Sequence, residues 1–193
     1  MLFEKFARAE HEGTVPALLE KVLRTRVADA RFVVDRLGAL PDRLSDVLDL
    51  RRVGMAGQSG GGFTAAQSMY EDRRIHVGID LDGILEFNQE PNGTNLSPVA
   101  RHGLDRPFLL MGREGSDHAT TEPSWAEFWS HGTGWRRDLT LRGSRHQTYT
   151  DPARAVATIR ACVTSCFDRR LRGRDDHLLD GPSPRLPDVS FVR

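Results

Sequence analysis

The segment Gly57-Gln58-Ser59-Gly60-Gly61 constrains the fold of this chain more than any other, because it lies between a predicted strand and a predicted helix. A G-x-S-x-G pattern in that context forms a sharp turn that holds its serine on a strained corner. Side chains at positions 57 and 61 are expected to collide, which requires glycine at both. The pattern predicts Ser59 as a nucleophile and the backbone N–H of Gly60 as a donor to an oxyanion.

Helices and strands are predicted to alternate along the chain. The predicted elements are a helix over 14–38, a strand over Leu50–Ala56, a helix over Gly61–Glu71, a strand over Ile75–Leu81, a loop over 88–104, a strand over Pro107–Met111, a helix over 123–131, a strand over Trp135–Leu141, and a helix over Pro152–Leu171 capped by Asp151. This order predicts an α/β fold with a mainly parallel sheet covered by helices on both faces. We expect one domain over 1–171 and an irregular tail over 172–193.

A serine nucleophile needs a histidine base and a carboxylate that orients the base, in the chain order serine, acid, histidine for this architecture. His146 follows the last predicted strand, so it lies at the same sheet edge as Ser59. Two carboxylates also follow strands at that edge. Asp82 ends the strand after the turn and Asp117 follows the next strand, and both remain candidates for the acid.

Composition narrows the possible partners. The 193 residues carry 27 basic and 27 acidic side chains, and this balance gives no drive toward nucleic acid. No stretch is long and apolar enough for a membrane span, and the charged N-terminal residues predict a cytoplasmic chain as written.

Cys162 and Cys166 are four residues apart in a predicted helix and are expected to be buried core thiols. We expect no metal and no cofactor.

The segment GQSGGGFTAAQSMYEDRRIHVGIDLDG and the later LTLRGSRHQTYTD together resemble the platelet-activating factor acetylhydrolase group of α/β-hydrolases and its lipase-like relatives. The resemblance covers about residues 50–170 and implies the C-terminal portion of an α/β-hydrolase fold. Carried over position by position, it implies Ser59 as nucleophile, Asp82 as acid and His146 as base. It therefore favours Asp82 over Asp117.

The sequence departs from this family in two ways. Gln58 stands in the turn where the family usually has histidine. Only 58 residues precede Ser59, whereas the family has about four strands and a helix there, together with a loop that supplies a second oxyanion donor. The strand before Ser59 is therefore expected to lie at an exposed sheet edge, through which copies of the chain could pair. A longer form could be secreted.

The resemblance implies a serine ester hydrolase for a lipid-type or short-acyl carboxylic ester, similar to a 1-alkyl-2-acetylglycerophosphocholine esterase. Two alternatives remain open at this point. One is a catalytically impaired fragment of such an enzyme. The other is a thioesterase or peptidase that uses the same three side chains.

Overall fold

The structure is a computed structural model that describes residues 2–41, 46–150 and 155–192. Its elements follow the predicted alternation of helices and strands. In chain order they are α1 (Leu2–His11), α2 (Val15–Leu37), β1 (Val53–Gln58), α3 (Gly60–Glu71), β2 (Ile75–Leu81), α4 (Pro98–His102), β3 (Phe108–Arg113), α5 (Pro123–His131), β4 (Arg136–Leu141), a 3₁₀ helix (His146–Tyr149), α6 (Val156–Arg172) and β5 (Val189–Phe191).

The strands form one sheet in the order β1-β2-β3-β4-β5. Strands β1 to β4 are parallel, and β5 runs antiparallel to β4. The parallel neighbours place the carboxyl ends of β1, β2 and β3 at one edge, which is where ligands bind in open α/β sheets. The predicted α/β class and mainly parallel sheet are confirmed. In the described ranges no helix is both long and apolar enough to cross a membrane.

A hydrophobic core lies on each face of the sheet, as the alternation of side chains along a buried strand requires. On β3, Phe108 and Leu110 belong to the core that also contains residues of α2, α3, α4 and α5. Leu109 and Met111 belong to the core that contains residues of α6 and of the segment after it. Strand β3 is therefore a central strand covered on both sides.

One prediction about side chains in these cores is confirmed. Cys162 and Cys166 are free, fully buried thiols on α6, and burial raises the pKa of each to about 12. They are therefore protonated and unreactive at neutral pH. On α5, Trp125 and Phe128 are buried in the first core, so they serve helix packing.

The structure also differs from the predicted elements. Strand β1 begins at Val53, three residues after the predicted start, and α1 was not predicted. The loop predicted over 88–104 contains α4, and the tail predicted to be irregular contains β5. The predicted cap Asp151 and helix start Pro152 lie outside the described residues.

Strand β1 lies at the edge of the sheet and pairs only with β2 among the described residues. Its residues are half-buried, except for Ala56, which is exposed. Unpaired backbone N–H and C=O groups on an edge strand are a template for pairing with another chain. Self-association through β1 therefore stays a prediction, and sedimentation velocity at increasing concentration would reveal it.

Candidate active site

The turn between β1 and α3 has the strained geometry that its sequence predicts. Ser59 has φ 56° and ψ −124°, a backbone conformation that residues other than glycine rarely adopt. Its N–H donates to the carbonyl oxygen of Leu81 at 2.9 Å, and its carbonyl accepts from Phe63 N–H at 3.1 Å. These bonds hold the corner between β2 and the first turn of α3, so Ser59 stands at the carboxyl edge of the sheet.

The glycines of this turn have different roles. A Cβ atom on Gly57 would lie 2.2 Å from the carbonyl carbon of Gly61, so position 57 must be glycine. A Cβ on Gly61 would meet nothing within 4 Å, so the expected collision at that position is wrong. The second close approach is at Gly62, where a Cβ would lie 1.7 Å from Oδ1 of Asp80. Burial raises the pKa of Asp80 well above its ordinary value, which favours its neutral form beneath the turn.

Alanine substitutions at the two ends of the turn should therefore have opposite effects on stability. Gly57→Ala forces a backbone clash and should destabilise the fold by more than about 2 kcal/mol. Gly61→Ala removes a glycine from the first turn of α3 and should stabilise it by up to about 1 kcal/mol. Thermal unfolding followed by circular dichroism measures both variants. Equal melting temperatures for the two would contradict this account of the turn.

Asp82 and His146 are brought together from positions 64 residues apart. The Nδ1 atom of His146 lies 2.6 Å from Oδ2 of Asp82, whose side chain is 2% exposed. The carboxylate of Asp82 also accepts the Arg113 N–H at 2.9 Å and Nη1–H at 3.1 Å. Backbone and side-chain donors thus fix a carboxylate that can orient the histidine ring.

Asp117, the other candidate acid, does not contact His146. Its carboxylate accepts from the backbone N–H groups of Ala119 and Thr120 at 2.9 and 2.8 Å, and from the Thr120 hydroxyl. These bonds close a local turn of the loop after β3. The structure therefore brings Asp82 to His146 and leaves Asp117 in a turn.

Gln58 contacts the other nitrogen of the histidine ring. Its Nε2 atom lies 3.1 Å from Nε2 of His146 and 3.4 Å from the carbonyl oxygen of His146. An amide NH₂ suits both acceptors, so these contacts fit the tautomer in which Nδ1–H donates to Asp82 and Nε2 accepts from Gln58. This is the tautomer that a general base requires. Sequence reasoning missed this contact, because the two residues are 88 positions apart and no local pattern links them.

A cavity of about 310 Å³ opens beside Ser59. Its polar lining residues are Arg26, Glu86, Asn88 and Gln89. Its apolar wall is built by α1, α2, α3 and the loop after β2, through Phe6, Leu19, Val22, Leu23, Phe63 and Ile84. An apolar cavity with a few polar groups is the usual form of a small-molecule site. The two N-terminal helices thus form much of the wall next to the serine.

Ligand-type side chains that could share one metal ion lie elsewhere. Among the residues that the structure describes, they are Asp175, His177 and Asp180, all exposed on the segment after α6. Arg169 pairs with both carboxylates, with Nε 3.0 Å from Asp175 Oδ2. The chain's own cation thus offsets part of the negative charge of this cluster, and no contact within the described residues links the cluster to Ser59.

Two proteins to which this chain is similar are named as esterases. No protein-family model matches the chain. A curated relative from Arthroderma benhamiae, named as a probable 1-alkyl-2-acetylglycerophosphocholine esterase, is 27% identical over 173 residues. The match covers 73% of this chain and 43% of that protein.

Solved structures have the same fold. The ferulic acid esterase from Streptomyces cinnamoneus is 34% identical with a TM-score of 0.71, and the match covers 90% of this chain and 55% of that one. The structure of DcsB with its substrate analogue has a TM-score of 0.55 at 14% identity, covering 76% and 72%. The chain spans about half the length of both esterases. The chain therefore has the α/β-hydrolase fold and is similar to these esterases.

Proposed function

We propose that the chain is a carboxylic ester hydrolase that uses Ser59 as nucleophile, His146 as base and Asp82 as the acid that orients the base. The observation that carries the proposal is the 2.6 Å contact between His146 and Asp82 beside the strained turn at Ser59. Gln58, which is next to Ser59 in the chain, touches the ring of His146, and Leu81, which precedes Asp82, accepts from Ser59. The proposed residues are thus linked through direct chain neighbours.

The proposed reaction has two halves. In the first, Ser59 Oγ attacks the ester carbonyl carbon and its proton passes to Nε2 of His146, while the carbonyl oxygen becomes an oxyanion. Gly60 is the first residue of α3, and its N–H has no partner within the helix, so it can donate to that oxygen. The ester C–O bond then breaks, and the leaving alcohol takes the proton from Nε2.

In the second half, water releases the acid. A water molecule gives a proton to Nε2 of His146 and attacks the acyl carbon, and the carboxylic acid leaves as Ser59 Oγ recovers its proton. Asp82 keeps the ring oriented and stabilises the imidazolium in both halves. Because Gln58 donates to Nε2, its amide must move away before Ser59 can pass its proton to that atom.

The substrate we propose is a lipid-type or short-acyl ester, as for the curated relative named above. The apolar cavity beside Ser59 supports an apolar acyl group. The chain's zero formal net charge suits a neutral or zwitterionic substrate. The name of the ferulic acid esterase adds an aromatic acyl group as a second candidate, favoured by Phe6 and Phe63 in the cavity wall.

A second candidate function is a catalytically impaired module of such an enzyme. Two observations favour it: Gln58 occupies the histidine nitrogen that the serine needs, and the chain spans about half of the related esterases. An impaired module would bind an ester in the cavity without turning it over.

Initial rates of ester hydrolysis by the purified chain separate the two candidates. The esters are p-nitrophenyl acetate, butyrate and octanoate and a feruloyl ester. The proposed function predicts saturable release of product above the uncatalysed rate for at least one acyl length. Uncatalysed rates for every ester would support the impaired module. The corresponding thioester tests whether the acyl transfer extends beyond oxygen esters.

A further inference from the structure

The side chain of Arg26, on α2, lies over the first residue of α3. A Cβ atom on Gly60 would be 3.3 Å from Nη1 of Arg26, so the guanidinium touches the turn where glycine leaves room for it. Arg26 lines the cavity together with Ser59 and Gly60. Its guanidinium has no hydrogen bond or ion pair with any residue in the described ranges, so its donors are free for a ligand.

The acidic side chain that lines the same cavity, Glu86, is hydrogen-bonded to groups other than Arg26. Glu86 lines the same cavity and is 1% exposed, but its two carboxylate oxygens accept the backbone N–H groups of Asn92 and Gly93 at 2.7 and 2.9 Å. Asn88 also donates to it at 3.2 Å. Arg26 therefore lines this cavity with a guanidinium that is unpaired among the described residues. Its N–H groups can donate to a negative charge that forms beside Ser59.

We propose that Arg26 is a catalytic residue that donates to the oxyanion next to the N–H of Gly60. The inference rests on the proposed function. An oxyanion formed on attack by Ser59 lies beside Gly60, because the N–H of that residue is its backbone donor. Such oxygens are held by more than one donor. The guanidinium offers a charged donor at the place where the second one is needed.

The physical reason for a rate effect is the change of charge during the reaction. A neutral ester oxygen in the bound substrate is a weak acceptor, whereas the oxyanion carries a full charge and forms a charge-assisted hydrogen bond. An interaction that strengthens on the way to the transition state raises kcat more than it lowers KM. Arg26 should therefore affect turnover and leave substrate binding nearly unchanged.

The test compares Arg26→Ala with Arg24→Ala, an exposed arginine two positions away on the same helix and outside the cavity. For the neutral ester p-nitrophenyl acetate, Arg26→Ala should lower kcat by about 10²-fold to 10³-fold with KM changed less than about threefold. Arg24→Ala should match the wild type. Guanidinium chloride at millimolar concentration should restore part of the rate of Arg26→Ala and have no such effect on Arg24→Ala.

The outcomes separate this inference from the proposed function. If the wild type hydrolyses the ester faster than Ser59→Ala but Arg26→Ala keeps its kcat, Arg26 has no role in the oxyanion site and the proposed function stands. A loss confined to an anionic ester such as mono-p-nitrophenyl succinate would make Arg26 a binder of a substrate carboxylate and would overturn the inference. A wild type no faster than Ser59→Ala would overturn both.

Discussion

Ser59→Ala is expected to lower the kcat of ester hydrolysis by about 10⁴-fold or more. The variant lacks the oxygen that forms the acyl-enzyme, and removal of a triad nucleophile leaves only the contribution of the oxyanion donors and of substrate binding. The cavity and the backbone turn remain, so KM should change little. Initial rates with p-nitrophenyl acetate over a range of concentrations measure both constants.

The control for this variant is Ser130→Ala. The hydroxyl of Ser130 is hydrogen-bonded to neighbours in its own helix turn. It donates to the carbonyl oxygen of Glu127 at 2.9 Å and contacts Nδ1 of His131. Ser130→Ala should keep the wild-type rate. Circular dichroism should give both variants the wild-type spectrum. A Ser59→Ala variant that retains more than about a tenth of the wild-type kcat would remove Ser59 from the mechanism.

Asp82→Asn is expected to lower kcat by about 10⁴-fold, close to the effect of losing the nucleophile. The carboxylate of Asp82 lies 2.6 Å from Nδ1 of His146 and can accept its N–H, which keeps the proton off Nε2, the atom that is to act as the base. An asparagine amide that donates to Nδ1 would force the proton onto Nε2, the wrong tautomer for accepting a proton from Ser59. Its Oδ1 atom can still accept the N–H of Arg113, so the loop should keep its fold.

Asp117→Asn is the matched control, because the sequence alone leaves Asp82 and Asp117 as alternative acids. Asp117 binds only its own turn, through N–H groups that an asparagine oxygen can also accept. We expect its kcat within about threefold of the wild type. A large loss in Asp117→Asn together with an active Asp82→Asn would reverse the assignment of the acid.

Local patterns in the sequence predicted the elements that build the sheet edge. The strands β2, β3 and β4 and the helices α3 and α5 are continuous apolar or amphipathic segments, so their periodicity identifies them. The turn at Ser59 was predicted from its glycines, and the strain at φ 56° agrees with that prediction. The short helix α4 and strand β5 were not predicted, because each is stabilised by contacts with distant elements more than by its own residues.

The contacts around the histidine could not be predicted from local patterns. Gln58 and His146 are 88 positions apart, and Arg113 and Asp82 are 31 apart. Arg26 reads as an ordinary exposed residue of an amphipathic helix, and only the packing of α2 against the turn places it over Gly60. Gly61 was expected to be glycine for lack of space, but a side chain there would meet no neighbour. The close approaches are at Gly57, which faces the Gly61 backbone, and at Gly62, which faces Asp80.

Covalent labelling with a fluorophosphonate, followed by peptide mass spectrometry, directly tests whether Ser59 is the nucleophile. An activated serine attacks the phosphorus and displaces fluoride, so the adduct identifies the nucleophile. We expect one adduct, on Ser59, whose rate of formation falls strongly in His146→Ala. An unlabelled Ser59 in the folded wild type, or labelling at another serine, would contradict it.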